Sequence, residues 1–223
     1  MKPKKLMITG IILAAVVVIA LVGYNIYRYP AALKNLSNNS LEETQVNELK
    51  DEIFARQENN VLIAYFSYSG TTKGIAESLS QNLDADLFEI TPKKTYDNVY
   101  TESNSEIRKS ERPELTDTVN NIEEYDIIFI GFPIWWHATP APVNTFLESY
   151  DLTGKLIIPF CTSGESDISE AMPTFLDSCD GLAVYGEKRI SGNGQLNTWL
   201  DELGFNSGIS KKSESAEEMN NKS

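Results

Sequence analysis

Between Val61 and Leu203, short apolar runs alternate with stretches whose apolar residues recur at helical spacing, and that alternation restricts the fold more than any other feature. Val61-Leu-Ile-Ala-Tyr-Phe66, Asp126-Ile-Ile-Phe-Ile-Gly131 and Lys155-Leu-Ile-Ile-Pro-Phe-Cys161 are apolar at consecutive positions, the pattern of strands covered on both faces. Leu87-Phe-Glu-Ile90 and Leu182-Ala-Val-Tyr185 are two further strand candidates. Thr72 to Leu83 carries Ile75, Ala76, Leu79 and Leu83 on one stripe, and Ala141 to Tyr150, Ile168 to Leu176 and Gln195 to Leu203 supply the other helices. Residues 91–113 are polar and Pro-bounded, an excursion with a short helix expected around Glu106. Strict alternation of strand and helix predicts an α/β domain built on a parallel sheet with helices on both faces.

Outside this region the chain changes character. Leu6 to Tyr27 is an uncharged run of 22 residues. At about 1.5 Å per residue, a helix of that length crosses a hydrocarbon core of roughly 30 Å. Tyr24, Tyr27 and Tyr29 gather at its far end, where amphipathic rings favour the interface. A cleaved signal peptide is the competing reading, but its best cleavage site, Val18-Ile19-Ala20, lies inside the apolar run rather than after it. Lys2, Lys4 and Lys5 precede the span and only Arg28 closely follows it, so the positive-inside bias predicts a cytoplasmic N-terminus and an extracytoplasmic domain. The expected organisation is therefore a cytoplasmic start (1–5), a transmembrane helix (6–27), a partly helical stalk (28–60), the α/β domain (61–206) and a disordered tail (207–223). The stalk contains Val46, Leu49 and Ile53 at helical spacing, and the tail is mostly Lys, Ser, Glu and Asn.

Composition removes several function classes. The net charge of −13 repels phosphates, which argues against a nucleic-acid partner. With one His and no Cys-x-x-Cys, no metal site is expected. Cys161 and Cys179 are open to two readings, a disulfide or two small core residues.

In doubly wound sheets the ligand sits beyond the C-terminal strand ends, where strand order reverses. Three loops leave those ends. Ser67-Tyr-Ser-Gly-Thr-Thr72 places four Ser/Thr hydroxyls and a Gly directly before a helix, a cradle for a phosphate, although one such hydroxyl alone would be an ordinary helix cap. It lacks G-x-G-x-x-G, the Gly-Lys-Ser/Thr ending of a P-loop, and G-x-S-x-G, which argues against a dinucleotide, a nucleotide triphosphate and a hydrolase nucleophile. Phe132-Pro-Ile-Trp-Trp-His137 sets adjacent tryptophans in a Pro-rich loop, suited to stacking on a planar ligand or to core packing; because neighbouring side chains diverge, one Trp is expected to turn inward. Cys161-Thr-Ser-Gly-Glu165 offers polar backbone to the edge of a heterocycle, or is a plain turn.

Taken in order, Tyr65-Phe-Ser-Tyr-Ser-Gly-Thr-Thr72, Phe132-Pro-Ile-Trp-Trp136 and Pro159-Phe-Cys-Thr-Ser-Gly164 resemble the three FMN loops of bacterial flavodoxin-like proteins. The resemblance implies a flavodoxin-like doubly wound sheet of five parallel strands in the order 2-1-3-4-5, with FMN as cofactor. It implies a phosphate held by Ser67, Tyr68, Ser69, Gly70, Thr71 and Thr72, the isoalloxazine against Pro133, Ile134, Trp135, Trp136 and His137, and the pyrimidine edge near Thr162, Ser163, Gly164 and Glu165. His137 stands where a Gly often follows the Trp pair, and Glu165 where a Gly or Ser is usual. His137 is either a donor or proton carrier near the flavin or a surface histidine.

The expected function is membrane-anchored electron transfer, in which the flavin carries the chemistry and no side chain is a covalent catalyst. The partner is a redox protein or a small-molecule electron donor or acceptor. An NAD(P)H-dependent quinone or flavin oxidoreductase uses the same loops, and a redox-silent flavin-binding module is a third reading.

Overall fold

Runs with no polar alternation have no face to give to solvent, and the three longest of them become the central strands. In the computed structural model, which describes residues 17–20 and 41–205, these are β1 (Val61–Tyr65), β3 (Ile127–Pro133) and β4 (Leu156–Thr162). The shorter β2 (Asp86–Glu89) lies on the far side of β1. Every pairing between strands is parallel, and the order is 2-1-3-4-5, as expected.

Side chains alternate between two cores. Val61, Ile63 and Tyr65 of β1, Ile127 and Phe129 of β3, and Leu156, Ile158 and Phe160 of β4 face one core. It is closed by α1 (Glu43–Phe54), α2 (Thr71–Leu83) and α6 (Leu196–Leu203). Leu62 and Ala64, Ile128, Ile130 and Phe132, and Ile157 and Cys161 face the other, under α4 (Ala141–Glu148) and α5 (Met172–Leu176). Burial of each such Phe, Ile or Leu contributes about 1.5–3 kcal/mol. The excursion holds α3 (Val99–Lys109), whose N-cap Asn98 accepts the Thr101 N–H at 3.2 Å.

Three expectations are corrected. The segment expected as a stalk is, from Leu41 onward, integral to the domain: Val46 and Ile53 of α1 sit in the first core, and the Leu41 N–H donates to the Leu182 carbonyl at 3.2 Å. The fifth strand is broken into β5 (Ala183–Val184) and β6 (Lys188–Arg189), both paired with β4. The break falls at Gly186, whose φ is +64°. A Cβ there would lie 2.2 Å from a Leu203 methyl, and its carbonyl accepts the Trp199 indole N–H at 2.9 Å, so the bend is seated against α6. The helix expected over 168–176 likewise divides into a 3₁₀ turn, Ile168–Glu170, and α5, which has a proline in its first turn.

Cys161 and Cys179 are free thiols buried in the second core, and burial pushes the Cys161 thiol up to about 12. The disulfide alternative is thereby set aside. The expected transmembrane helix (6–27) lies outside the described residues except for 17–20, which are helical, and the tail (207–223) lies wholly outside them. Among the described residues no helix is long and apolar enough to cross a membrane.

Candidate functional site

The chain passes from β1 outward to β2 and returns to the other side of β1 as β3, so the loops after β1 and β3 leave in opposite directions and open a crevice between them. The first loop enters α2 through Gly70, which is left-handed at φ +89°. Its N–H donates to Ser67 Oγ at 3.1 Å, and the Ser69 and Thr71 hydroxyls lie 3.2 Å apart. A Cβ built on Gly70 meets nothing within 4 Å, so backbone conformation selects glycine here and the space above the loop is open. The first turn of α2 carries no acidic residue, and its backbone N–H groups end the helix dipole with positive charge.

Thr72 is the buried member of this loop. Its hydroxyl bonds Thr162 Oγ1 at 2.8 Å, at the end of β4. Thr162 is in register with Pro133, and its carbonyl accepts the Ile134 N–H at 3.4 Å. One threonine thus ties together all three expected loops.

The second loop is a two-residue hairpin. Trp135 and Ala138 exchange both backbone hydrogen bonds, at 3.0 and 2.9 Å, while Trp136 and His137 between them have φ of 54° and 56°. Two left-handed central residues define a type I′ turn, a geometry that Asn-Gly adopts without cost and that a bulky side chain resists by roughly 1–2 kcal/mol. Side-chain bonds hold it. Trp136 Nε1 donates to Ser103 Oγ at 3.1 Å, and His137 Nδ1 is bonded to Glu170 Oε2. The other Glu170 oxygen accepts the Asp167 N–H at 2.9 Å. The His137 bond, with smaller help from the Asp167 N–H, holds the Glu170 carboxyl below its usual value despite opposing desolvation. Trp135 is the tryptophan that turns inward, meeting the rings of Phe66, Tyr68 and Tyr96 edge-on at 5.1, 5.8 and 5.6 Å.

A cavity of about 370 Å³ opens beside this hairpin. Tyr68, Ile134, Trp135, Trp136 and His137 line it, and the excursion adds Val99, Tyr100 and Ser103. Those three were not anticipated; the aromatics Tyr96 and Tyr100 in an otherwise polar stretch were the available signal. Thr162, Ser163, Gly164 and Glu165 do not line the cavity. Glu165 is exposed, and Arg189 Nη1 donates to its carbonyl at 3.1 Å. Glu89, at the end of β2, accepts the Tyr65 hydroxyl at 2.9 Å and pairs with Lys73 at 3.4 Å. Among the described residues no cluster of His, Cys, Asp or Glu is arranged to hold a metal.

Residues 60–203 match the family model described as flavodoxin. The chain belongs to the flavodoxin family. Among solved structures it is similar to a candidate flavoprotein from Bacteroides eggerthii DSM 20697, at 32% identity and a TM-score of 0.59, covering 66% of this chain and 99% of that one. A second, from Bacteroides uniformis ATCC 8492, shares 34% identity at a TM-score of 0.56, over 65% of this chain and 99% of that one. A flavoprotein from Lactobacillus acidophilus NCFM, solved in complex with FMN, is 27% identical at a TM-score of 0.53, over 63% of this chain and 98% of its own. No curated protein matches the chain. For a flavodoxin family member the loops stand at the expected place, the carboxyl ends of adjacent strands β1, β3 and β4.

Proposed function

We propose that this chain is a membrane-tethered redox protein whose bound FMN exchanges electrons with a redox partner. The observation that carries the reading is the convergence of a hydroxyl-rich helix start, an aromatic hairpin and the β4 loop on Thr162. FMN is the cofactor, in keeping with the family match and with the FMN complex of the Lactobacillus protein.

The residues fit that group. The space over Gly70 admits a phosphate, the Ser67, Ser69 and Thr71 hydroxyls belong to the same loop, and no first-turn carboxylate opposes it. Thr162 can donate to Thr72, which leaves the Thr72 proton for the same anion. Tyr68, Tyr100 and the two tryptophans give the neighbouring cavity flat apolar walls that exclude water from a ring system. The backbone of 162–165 is assigned to the pyrimidine edge. When bound, the flavin supplies the electron chemistry; the chain supplies orientation and charge. His137 lines the cavity with its Nδ1 engaged by Glu170.

The tether is the uncharged run 6–27, with lysines before it, and it sets the domain outside the cytoplasm. Two measurements on the full chain test the proposal. Anaerobic titration should bleach a bound flavin reversibly, and a colourless or redox-silent protein overturns electron transfer. Protease added to spheroplasts should digest the domain, and full protection with an accessible N-terminal tag overturns the orientation.

A further inference from the structure

The approach to α3 and its inner face hold a cluster of titratable side chains, Lys94, Tyr96, Glu102 and Glu106. Glu106 is a buried acid, its side chain 3% exposed, and both of its oxygens are engaged. Lys94 Nζ pairs with Oε1, and the Tyr96 hydroxyl donates to Oε2 at 3.0 Å. Lys94 also reaches Glu102 at 3.3 Å and stands 4.6 Å from the centre of the Tyr96 ring. That ring meets Trp135 edge-on, at 5.6 Å and 88°. A line of contacts thus runs from Lys94 through Glu106 and Tyr96 to a wall of the cavity beside the hairpin.

We propose that Glu106 is a positioning residue for the flavin ring: it anchors Tyr96, and Tyr96 fixes Trp135. The link to a flavin rests on the proposed function; the anchoring of Trp135 does not. Three observations support it. First, Tyr96 gives Trp135 its polar anchor. Of the three rings around Trp135, Phe66 is a buried apolar ring and Tyr68 is 56% exposed, whereas Tyr96 is tied by its hydroxyl to a buried acid. Second, the tie has a fixed direction. Burial, and after it the charge of Glu106, push the Tyr96 hydroxyl above its ordinary range, so it keeps its proton and donates. Third, the ion pair is a poor source of stability. Desolvating the carboxylate offsets most of its attraction to Lys94, and apolar side chains of similar volume would seat α3 as firmly. A buried acid with each oxygen on a separate partner fixes a geometry instead.

The test titrates the flavin-free full chain, in detergent, with FMN and with riboflavin by fluorescence quenching, and follows urea unfolding of the same samples. Tyr96→Phe keeps the ring and leaves Glu106 paired with Lys94. It should weaken both flavins alike, by about threefold to tenfold, the worth of one hydrogen bond. Glu106→Gln retains an acceptor for Tyr96 and leaves Lys94 with Glu102, so it should bind both flavins nearly as wild type does. Glu106→Met with Lys94→Met should be as stable as wild type yet bind both flavins as weakly as Tyr96→Phe. If the double variant does not fold, Tyr96→Phe and Glu106→Gln decide. Wild-type affinity in Tyr96→Phe, a loss confined to FMN, or affinities that merely follow stability with no rescue by Gln overturn the role. A wild-type chain that binds neither flavin rejects the flavin reading instead. Near-ultraviolet circular dichroism, altered in Tyr96→Phe and restored in Glu106→Gln, then still reports the anchoring of Trp135, so the two failures are distinct.

Discussion

Thr72 and Thr162 make the most direct structural test of how the loops are joined. Both are buried, at 1% and 7% exposure, and their hydroxyls are 2.8 Å apart. Thr72→Val keeps the shape and removes one hydroxyl, leaving Thr162 Oγ1 buried without its partner. The expected cost is about 1–3 kcal/mol, the desolvation of an unsatisfied polar group. In a domain of this size that corresponds to a fall in Tm of about 2–4 °C per kcal/mol. Thr162→Val should cost a similar amount for the same reason. The double variant removes both hydroxyls and should return close to wild type, because replacing both partners by apolar groups of the same shape is nearly neutral. Urea unfolding of the four proteins, with constant slope, reads the cycle. FMN binding separates the second role of Thr72. The double variant should be stable yet bind FMN about tenfold more weakly, with riboflavin hardly affected. Losses that simply add in the double variant would show that the two hydroxyls are not each other's partners and that the loops are joined by something else.

The strained hairpin yields a second cycle. In a Glu170→Ala background, where the bond to Glu170 is already gone, His137→Gly should stabilise the protein by about 1 kcal/mol, since glycine adopts the left-handed position freely; a destabilising result contradicts the turn assignment. Glu170 also has a pH signature: its folded carboxyl lies below the ordinary 4.5, so its contribution is present above that value and is lost as the pH falls through the depressed one. The stability gap between wild type and Glu170→Gln should therefore close in acid, and a gap constant from pH 7 to pH 3 would refute it. Arg189 donates to the Glu165 carbonyl, so its charge stands beside the β4 loop; Arg189→Gln should make the potential of the bound flavin more negative, and less so in high salt, whereas an unchanged potential removes Arg189 from the flavin's surroundings. Cys161 and Cys179 are buried thiols with raised pKa, so an aromatic disulfide reagent should leave them untouched in the native protein and modify both in denaturant.

The parts of this architecture that were legible in the sequence are those where physics is local. A run such as Ile127–Pro133 has no polar side and must be covered twice, and the hydroxyls of Ser67 to Thr72 announce a helix start by themselves. What escaped depends on tertiary closure. Val46 and Ile53 lie among charged neighbours, so their stripe looked like that of an exposed stalk until α1 was seen against the sheet. The bend at Gly186 is set by the approach of Leu203, seventeen residues later by number. The type I′ turn was hidden because Trp-His lacks the Asn-Gly signature, and the geometry is imposed by Ser103 and Glu170 from two other elements. Val99, Tyr100 and Ser103 reach the cavity only because α3 is brought beside the hairpin, which hydropathy in a polar stretch does not reveal.

The central assignment, a phosphate held at the start of α2 with the ring beside the Trp hairpin, is tested by titrating the flavin-free full chain with FMN and with riboflavin while following the quenching of flavin fluorescence. The two ligands differ only in the phosphate. Charge-assisted bonds from Ser67, Ser69, Thr71 and the helix start predict that FMN binds at least about tenfold more tightly. Ser67→Ala should narrow that ratio by weakening FMN alone. Equal affinities for FMN and riboflavin, or equal losses for both in Ser67→Ala, would contradict the assignment.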